Sequence, residues 1–100
     1  MSQTPEGKVK DRVKKLLKEY NAYYHMVVTN GMGSPTLDFI GCYLGRFFAI
    51  ETKAHDKYMT ARQEITATVI RDAGGVVFLI NDETGVEPLK QWLEESECAM

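Results

Sequence analysis

Apolar side chains recur along the chain at changing intervals, and the intervals predict where helices and strands lie. Between Pro5 and about Tyr20, valines and leucines are spaced to share one side of a helix. Thr4 is placed to cap this helix, and proline suits its first position. Lysines cover the opposite side. The segment is therefore expected to pack one narrow apolar stripe against a core.

Strands are predicted after this helix. The segment Tyr23–Thr29 is rich in aromatic and β-branched residues, which favours a strand. Asn30–Pro35 contains glycines and a proline and predicts a loop. Thr36–Tyr43 and Arg46–Lys53 follow as two further strands. The short connection Leu44–Gly45 between them predicts a hairpin.

A second helix and a fourth strand come next. Thr60–Ala73 has helical spacing in Ile65 and Val69, with Arg62 and Thr66 on the flank, and the pair of glycines after it is a common helix stop. Val76–Ile80 is a continuous apolar run, which predicts a buried strand.

The last segment, Pro88 to about Glu95, predicts a helix with Leu89, Trp92 and Leu93 facing the core. The complete order is α-β-β-β-α-β-α. This order predicts an α/β fold in which helices flank a mixed central sheet.

Composition supports one compact unit over residues 1–100, because 44% of the 100 residues are hydrophobic. Two cysteines are too few for a disulfide scaffold, so free thiols in a reducing cytoplasm are expected. No apolar run approaches the roughly 20 residues of a membrane span, and the N-terminus does not resemble a signal peptide. We therefore expect a soluble, cytoplasmic protein with no membrane partner.

Charge is unevenly distributed although the formal net charge is only -2. Lysines crowd the first helix, and glutamates dominate the last segment. A basic region can attract phosphates even on an acidic protein. The same lysines are equally compatible with an ordinary solvated helix surface.

The third strand carries the candidate chemistry. Alternation places Glu51 and Lys53 on one face, and the hairpin brings Asp38 of the neighbouring strand close to them. Two carboxylates can hold a hard cation, which polarises a phosphate, and a lysine can orient water and offset charge. The backbone carbonyl of Thr52 points near the same place as a further ligand. The alternative interpretation is a cross-strand salt bridge with no catalytic role.

The stretches Gly33–Cys42 and Gly45–Lys53 resemble the PD-(D/E)XK nuclease superfamily. Within it they are most similar to VRR-NUC domains, especially stand-alone versions from phages and bacteria. Gln63 resembles the family's helix glutamine, Ala73–Val77 its helix-to-strand junction, and Glu6 the acidic residue of its first helix. The likeness runs over nearly the whole domain.

This resemblance implies a restriction-endonuclease-like core and a role for each matching residue. Asp38 and Glu51 would bind Mg²⁺ or Mn²⁺, and Lys53 would act on the attacking water. Gln63 would position Lys53, the water or the phosphate, and Glu6 is a candidate for a second metal or its water. For Gln63 the alternative is a solvated helix position, and for Glu6 a first-turn acid favoured by the helix dipole.

The activity implied is endonucleolytic hydrolysis of DNA, with branched DNA such as Holliday junctions the expected substrate and a homodimer the expected assembly. The sequence departs from the family at Leu37, where proline usually precedes the aspartate. Two alternatives stay open. One is a DNA-binding or interaction module with a decayed site, and the other is a nuclease that nicks or acts on linear DNA.

Several other residues have an expected place. His25 is predicted to be a core residue of its strand. His55 and Tyr58, flanked by Lys57 and Arg62, could contact a DNA backbone or stack on a base, or simply form a solvated loop. The remaining aromatic residues are expected in the core or in a dimer interface.

Overall fold

The structure, a computed structural model, describes residues 4–28 and 35–99 and has the predicted element order. Its elements are α1 (Pro5–Glu19), β1 (Tyr23–Met26), β2 (Phe39–Tyr43), β3 (Arg46–Lys53), α2 (Ala61–Asp72), β4 (Val76–Asn81) and α3 (Glu87–Cys98). The strands form one sheet in the order β1-β2-β3-β4. The first two pairings are antiparallel and the third is parallel. The mixed α/β architecture is therefore confirmed.

Helix α1 begins as its sequence predicts. The hydroxyl of Thr4 accepts a hydrogen bond from the backbone N–H of Gly7 at 3.0 Å, and Pro5 follows as the first helical residue. Its buried stripe consists of Val9, Val13, Leu16 and Leu17. Among the described residues, no helix is long and apolar enough to cross a membrane.

The hairpin between β2 and β3 turns where predicted. Leu44 and Gly45 both have positive φ angles, 50° and 82°, as a two-residue type I′ turn requires. The register pairs Phe39 with Ile50. This register sets Asp38, the residue before β2, beside Glu51.

Strand β1 is shorter than predicted, since it ends at Met26 rather than at Thr29. Thr29 and residues 30–34 of the predicted loop lie outside the described part of the chain. His25 was expected in the core, and this prediction was wrong, because its side chain is exposed. Alternation turns Tyr24 and Met26, not His25, towards the main core.

Strand β2 also begins later than predicted, at Phe39 rather than at Thr36. The backbone N–H of Asp38 donates to the side-chain carboxylate of Glu51 at 3.2 Å instead of to a backbone carbonyl. The carbonyl of Asp38 still accepts a hydrogen bond from the backbone N–H of Val27 at 2.9 Å. The backbone of Asp38 therefore remains paired with the residue that follows β1, while its side chain takes part in the site.

Two apolar clusters cover the two faces of the sheet. The larger one packs α1 and α3 against the sheet and includes Phe48 and Ile50 of β3. The smaller one lies under α2 and contains Leu37, Ala49 and Ala67. Successive residues of β3 thus enter different clusters, as alternation predicts.

The buried side of α2 differs from the side that its apolar spacing indicates. Ile65 and Val69 are 66% and 62% exposed, whereas Thr66 and Ala67 are buried. The helix packs on the sheet through these small residues and the half-buried Ile70, and leaves Ile65 and Val69 on the surface. The spacing identified the helix correctly but not its buried face.

Strand β4 is less buried than its apolar run suggests. Ile80 is buried, but Leu79 is 40% exposed and Val76 is half-buried. The strand lies at the edge of the sheet, so α2 and the main core cover it only partly.

Helix α3 is longer than predicted and runs to Cys98. Its buried residues include Leu89, Trp92 and Leu93, which confirms the predicted core face. The guanidinium of Arg46 lies 5.0 Å above the Trp92 ring, where a cation is attracted by the π-electrons. This contact ties α3 to the start of β3.

Candidate active site

Asp38 is held by the strand opposite it. Its Oδ2 atom accepts two hydrogen bonds from Thr52, one from the backbone N–H at 3.0 Å and one from the hydroxyl at 2.7 Å. Its Oδ1 atom lies 4.0 Å from the Nζ of Lys10 on α1. One carboxylate oxygen is therefore anchored by the sheet, while the other faces a lysine.

Glu51 is the most enclosed charged residue of the site, with 2% of its surface exposed. Its Oε1 accepts a hydrogen bond from the backbone N–H of Asp38. Its Oε2 accepts one from Gln63 Nε2 at 2.8 Å and lies 3.3 Å from Lys53 Nζ. Groups from β3, from α2 and from the residue before β2 thus converge on one carboxylate.

The environment of Glu51 disfavours its charge. Burial is the main cause that raises the pKa of the Glu51 carboxyl, and the nearby charge of Asp38 raises it further. Lys53 and the backbone N–H of Asp38 act in the opposite direction and lower the pKa. A buried, electrostatically strained carboxylate is typical of functional sites, although ion-pair networks also produce one.

Gln63 reaches Glu51 from the first turn of α2. Its backbone N–H donates to the Thr60 hydroxyl at 3.1 Å, and its side-chain oxygen accepts from the Thr60 backbone N–H at 3.0 Å. This reciprocal pair is a capping box. The Gln63 side chain therefore contributes to the helix start and to the site at once.

The predicted set of Asp38, Glu51, Lys53 and Gln63 is thus brought together. Glu6 lies at the edge of the same region and lines a cavity of about 450 Å³ with Lys53, Lys57 and Tyr58 among others. Within residues 4–28 and 35–99, no three Asp, Glu, His or Cys side chains form a ready metal site. The described carboxylate centre is therefore the pair Asp38 and Glu51.

This pair matches the donor chemistry of a hard cation. Mg²⁺ commonly takes only one or two protein carboxylates and completes its shell with water and phosphate oxygens. The backbone N–H of Thr52 points towards Asp38, and the carbonyl of an extended residue lies on the same edge as its N–H. The carbonyl predicted as a ligand therefore faces the Asp38 edge of β3.

Basic and aromatic residues follow Lys53 in the chain, up to the first turn of α2. Lys57, Tyr58 and Arg62 are exposed, and the Tyr58 side chain has 81% of its surface accessible. His55 is also exposed, and its Nδ1 lies 3.4 Å from a carboxylate oxygen of Asp82. Of these residues, Lys57 and Tyr58 share the cavity of about 450 Å³ with Lys53.

Three participants were missed by the sequence reasoning. Alternation along the strand puts the Thr52 side chain on the face opposite Glu51 and Lys53, and Lys10 is one of several lysines in the first helix. Thr60 was the only one with a readable signal, because Thr60-x-x-Gln63 has the spacing of a capping box. The other two depend on how α1 and β3 approach the end of β2.

In chemical terms the site combines two adjacent carboxylates with a lysine and a neutral amide donor, at the start of β2 and the end of β3, where Asp38 is partly exposed and Glu51 is buried. Such a set can hold a cation, bind an anionic group and orient a proton donor. No protein-family model matches this chain, and no curated protein matches it either.

Proposed function

We propose that this protein is a Mg²⁺- or Mn²⁺-dependent DNA endonuclease that hydrolyses phosphodiester bonds. The observation that carries the proposal is the convergence of Asp38, Lys53 and Gln63 on the buried carboxylate of Glu51. A cross-strand salt bridge needs one carboxylate and one lysine. It needs neither a second carboxylate nor an amide from a separate helix.

Each side chain has a role in the proposed reaction. Asp38 and Glu51 would hold the ion, with the Thr52 carbonyl and Glu6 as further candidates for its shell. A bound ion would supply Lewis-acid polarisation of the phosphate and would make water a better nucleophile. The Lys53 ammonium orients the attacking water and offsets negative charge as it develops.

The proposed substrate is branched DNA, in keeping with the resemblance described above. Exposed Lys57 and Arg62 flank the site and would contact backbone phosphates, which position a duplex without reading its sequence. The glutamate-rich surface of α3 repels a phosphate backbone. DNA is therefore expected to approach the α1 and α2 ends of the site.

We further propose that two copies associate through an apolar surface remote from Glu51. Tyr23 and Phe47 are 70% and 42% exposed, and Val69 of α2 is exposed nearby. Two cavities, of about 610 and 400 Å³, both include Phe47 in their walls. An apolar surface of this kind marks an interaction site, and a symmetric dimer would present two active sites to two strands.

The activity is tested with a labelled four-way junction and a plain duplex of the same sequence, each with Mg²⁺, Mn²⁺ or chelator. Asp38→Asn and Lys53→Met are compared with Lys15→Met, which removes an exposed α1 lysine. We expect metal-dependent junction cutting that the first two variants lose and the third retains. Equal cutting of both substrates would support the proposed chemistry and contradict the proposed specificity for branched DNA. If the folded wild type cut neither substrate, the nuclease proposal would be wrong and the protein would be a binding module.

The assembly is tested by sedimentation equilibrium. Phe47→Glu is expected to convert a dimer into a monomer, because a charge would be buried at the interface. Tyr58→Glu, which alters a more exposed aromatic residue in the loop after β3, is expected to leave the dimer intact. A monomeric wild type would contradict the proposed assembly.

A further inference from the structure

One side chain in the first turn of α2 has two structural roles. Gln63 closes the capping box with Thr60 and also donates to Glu51. A capping box needs only an acceptor at the third helical position, and glutamate serves this purpose as well as glutamine. The glutamine therefore meets a requirement beyond that of the helix.

The orientation of the Gln63 amide is fixed by its two partners. The backbone N–H of Thr60 can only donate, so it must face the amide oxygen. The carboxylate of Glu51, when ionised, can only accept, so it must face the amide nitrogen. Only one of the two possible amide orientations satisfies both groups.

The Thr60 backbone N–H consequently affects Glu51 indirectly, by fixing the Gln63 amide. Without this N–H, the amide group of Gln63 could rotate by 180° and direct its oxygen at a carboxylate oxygen of Glu51. Glu51 has little freedom of its own, because it is buried and also receives the backbone N–H of Asp38. A misplaced amide would therefore leave a buried carboxylate with one donor fewer.

We infer that Thr60 is a positioning residue of this site, because its backbone N–H locks the Gln63 amide in the orientation that presents a donor to Glu51. The consequence for catalysis rests on the proposed nuclease function. The geometric part does not, since it concerns the side-chain amide in the protein alone.

Substitutions at Thr60 separate its hydroxyl from its backbone N–H. Thr60→Ala removes the hydroxyl and keeps the N–H, whereas Thr60→Pro removes both. The φ angle of Thr60 is -69°, which a proline ring accommodates. Thr60→Ser keeps both groups and serves as the matched control.

The first readout is the side-chain amide NMR signal of Gln63 in metal-free protein. In the wild type, Thr60→Ser and Thr60→Ala, we expect an ordered NH₂ pair whose shifts move when Glu51→Gln is introduced. In Thr60→Pro we expect the signals of a mobile amide. Equal order in Thr60→Pro and Thr60→Ala would overturn the inference, whether or not the protein cuts DNA.

The second readout is the division between kcat and KM. Thr60→Pro is expected to lower kcat at least fivefold relative to Thr60→Ala, with KM for DNA unchanged. Gln63→Glu keeps the acceptor for the Thr60 N–H but replaces the donor to Glu51 with a second carboxyl group, so we expect a lower unfolding midpoint at neutral pH and a kcat reduced tenfold or more. If Thr60→Pro does not fold, Gln63→Glu takes its place in the kinetic measurement. Wild-type kcat in Gln63→Glu would show that the cap is structural only.

Discussion

Asp38 and Thr52 form a two-point contact across the end of the hairpin, in which one carboxylate oxygen accepts both the backbone N–H and the hydroxyl of the threonine. Thr52 is fully buried, so its hydroxyl has no competing solvent. The contact explains why Asp38 stays in place although β2 begins only after it. A carboxylate fixed through one oxygen leaves its other oxygen to face Lys10 or a bound cation.

Thr52→Val should loosen this arrangement without changing the volume of the core. The variant loses a buried hydrogen bond to a charged group, and we expect the free energy of unfolding to fall by about 1.5 kcal/mol. Calorimetric titration should also show weaker Mn²⁺ binding, because Asp38 is less well oriented. Thr52→Ser keeps the hydroxyl, so it should lose stability through its missing methyl group but retain the affinity. Equal Mn²⁺ affinity in the two variants would contradict this role.

The raised pKa of Glu51 predicts a pH dependence of stability. The folded protein binds the carboxyl proton of Glu51 more tightly than the unfolded chain does, and this difference stabilises the folded state. The stabilisation is fully present below the unfolded-state pKa of 4.5 and is lost as pH rises through the raised pKa of the folded protein. Glu51→Gln does not titrate. Its free energy of unfolding should therefore improve relative to wild type as pH rises over this window.

Denaturant unfolding at several pH values, with chelator present, measures this difference. Glu64→Gln, an exposed change on α2, is the control and should follow the wild type. Adding Mn²⁺ should reverse the trend at neutral pH, because an ion that binds only the folded wild type stabilises it. Parallel curves for wild type and Glu51→Gln would show that Glu51 is not strained.

The sequence was sufficient to bring the main residues of the site together. Alternation along β3 and a two-residue turn fix the register, and the register alone places Asp38 beside Glu51. The buried face of α2 could not be predicted in the same way. Its buried residues are Thr66 and Ala67, with Ile70 half-buried beside them, while Val69 stays exposed. Small residues give little hydrophobic signal, yet they allow a helix to pack closely.

A close approach of this kind also predicts the effect of Gly41→Ala. A Cβ atom at this position would overlap the carbonyl oxygen of Tyr23 and lie 2.5 Å from Cζ of Phe48. Both neighbours belong to adjacent strands, so relief requires β1 to move. We expect the free energy of unfolding to fall by about 3 kcal/mol, at the upper end of typical overpacking costs. Cys42→Ala, next to it on β2 but exposed, should be nearly neutral in the same denaturant titration.

Lys10 should govern how tightly the site holds a cation. Its Nζ lies 4.0 Å from the Asp38 oxygen that Thr52 leaves unanchored, so a bound ion must share Asp38 with a positive charge. Removing that charge in Lys10→Met relieves about 1 kcal/mol of repulsion at a partly exposed position, which corresponds to roughly fivefold tighter Mn²⁺ binding. Lys15→Met removes an exposed charge from the same helix and should leave the affinity unchanged. Calorimetric titration of the metal-free protein compares the two. Binding that weakens in Lys10→Met would mean that Lys10 supports the ion, for instance by orienting Asp38, and does not compete with it.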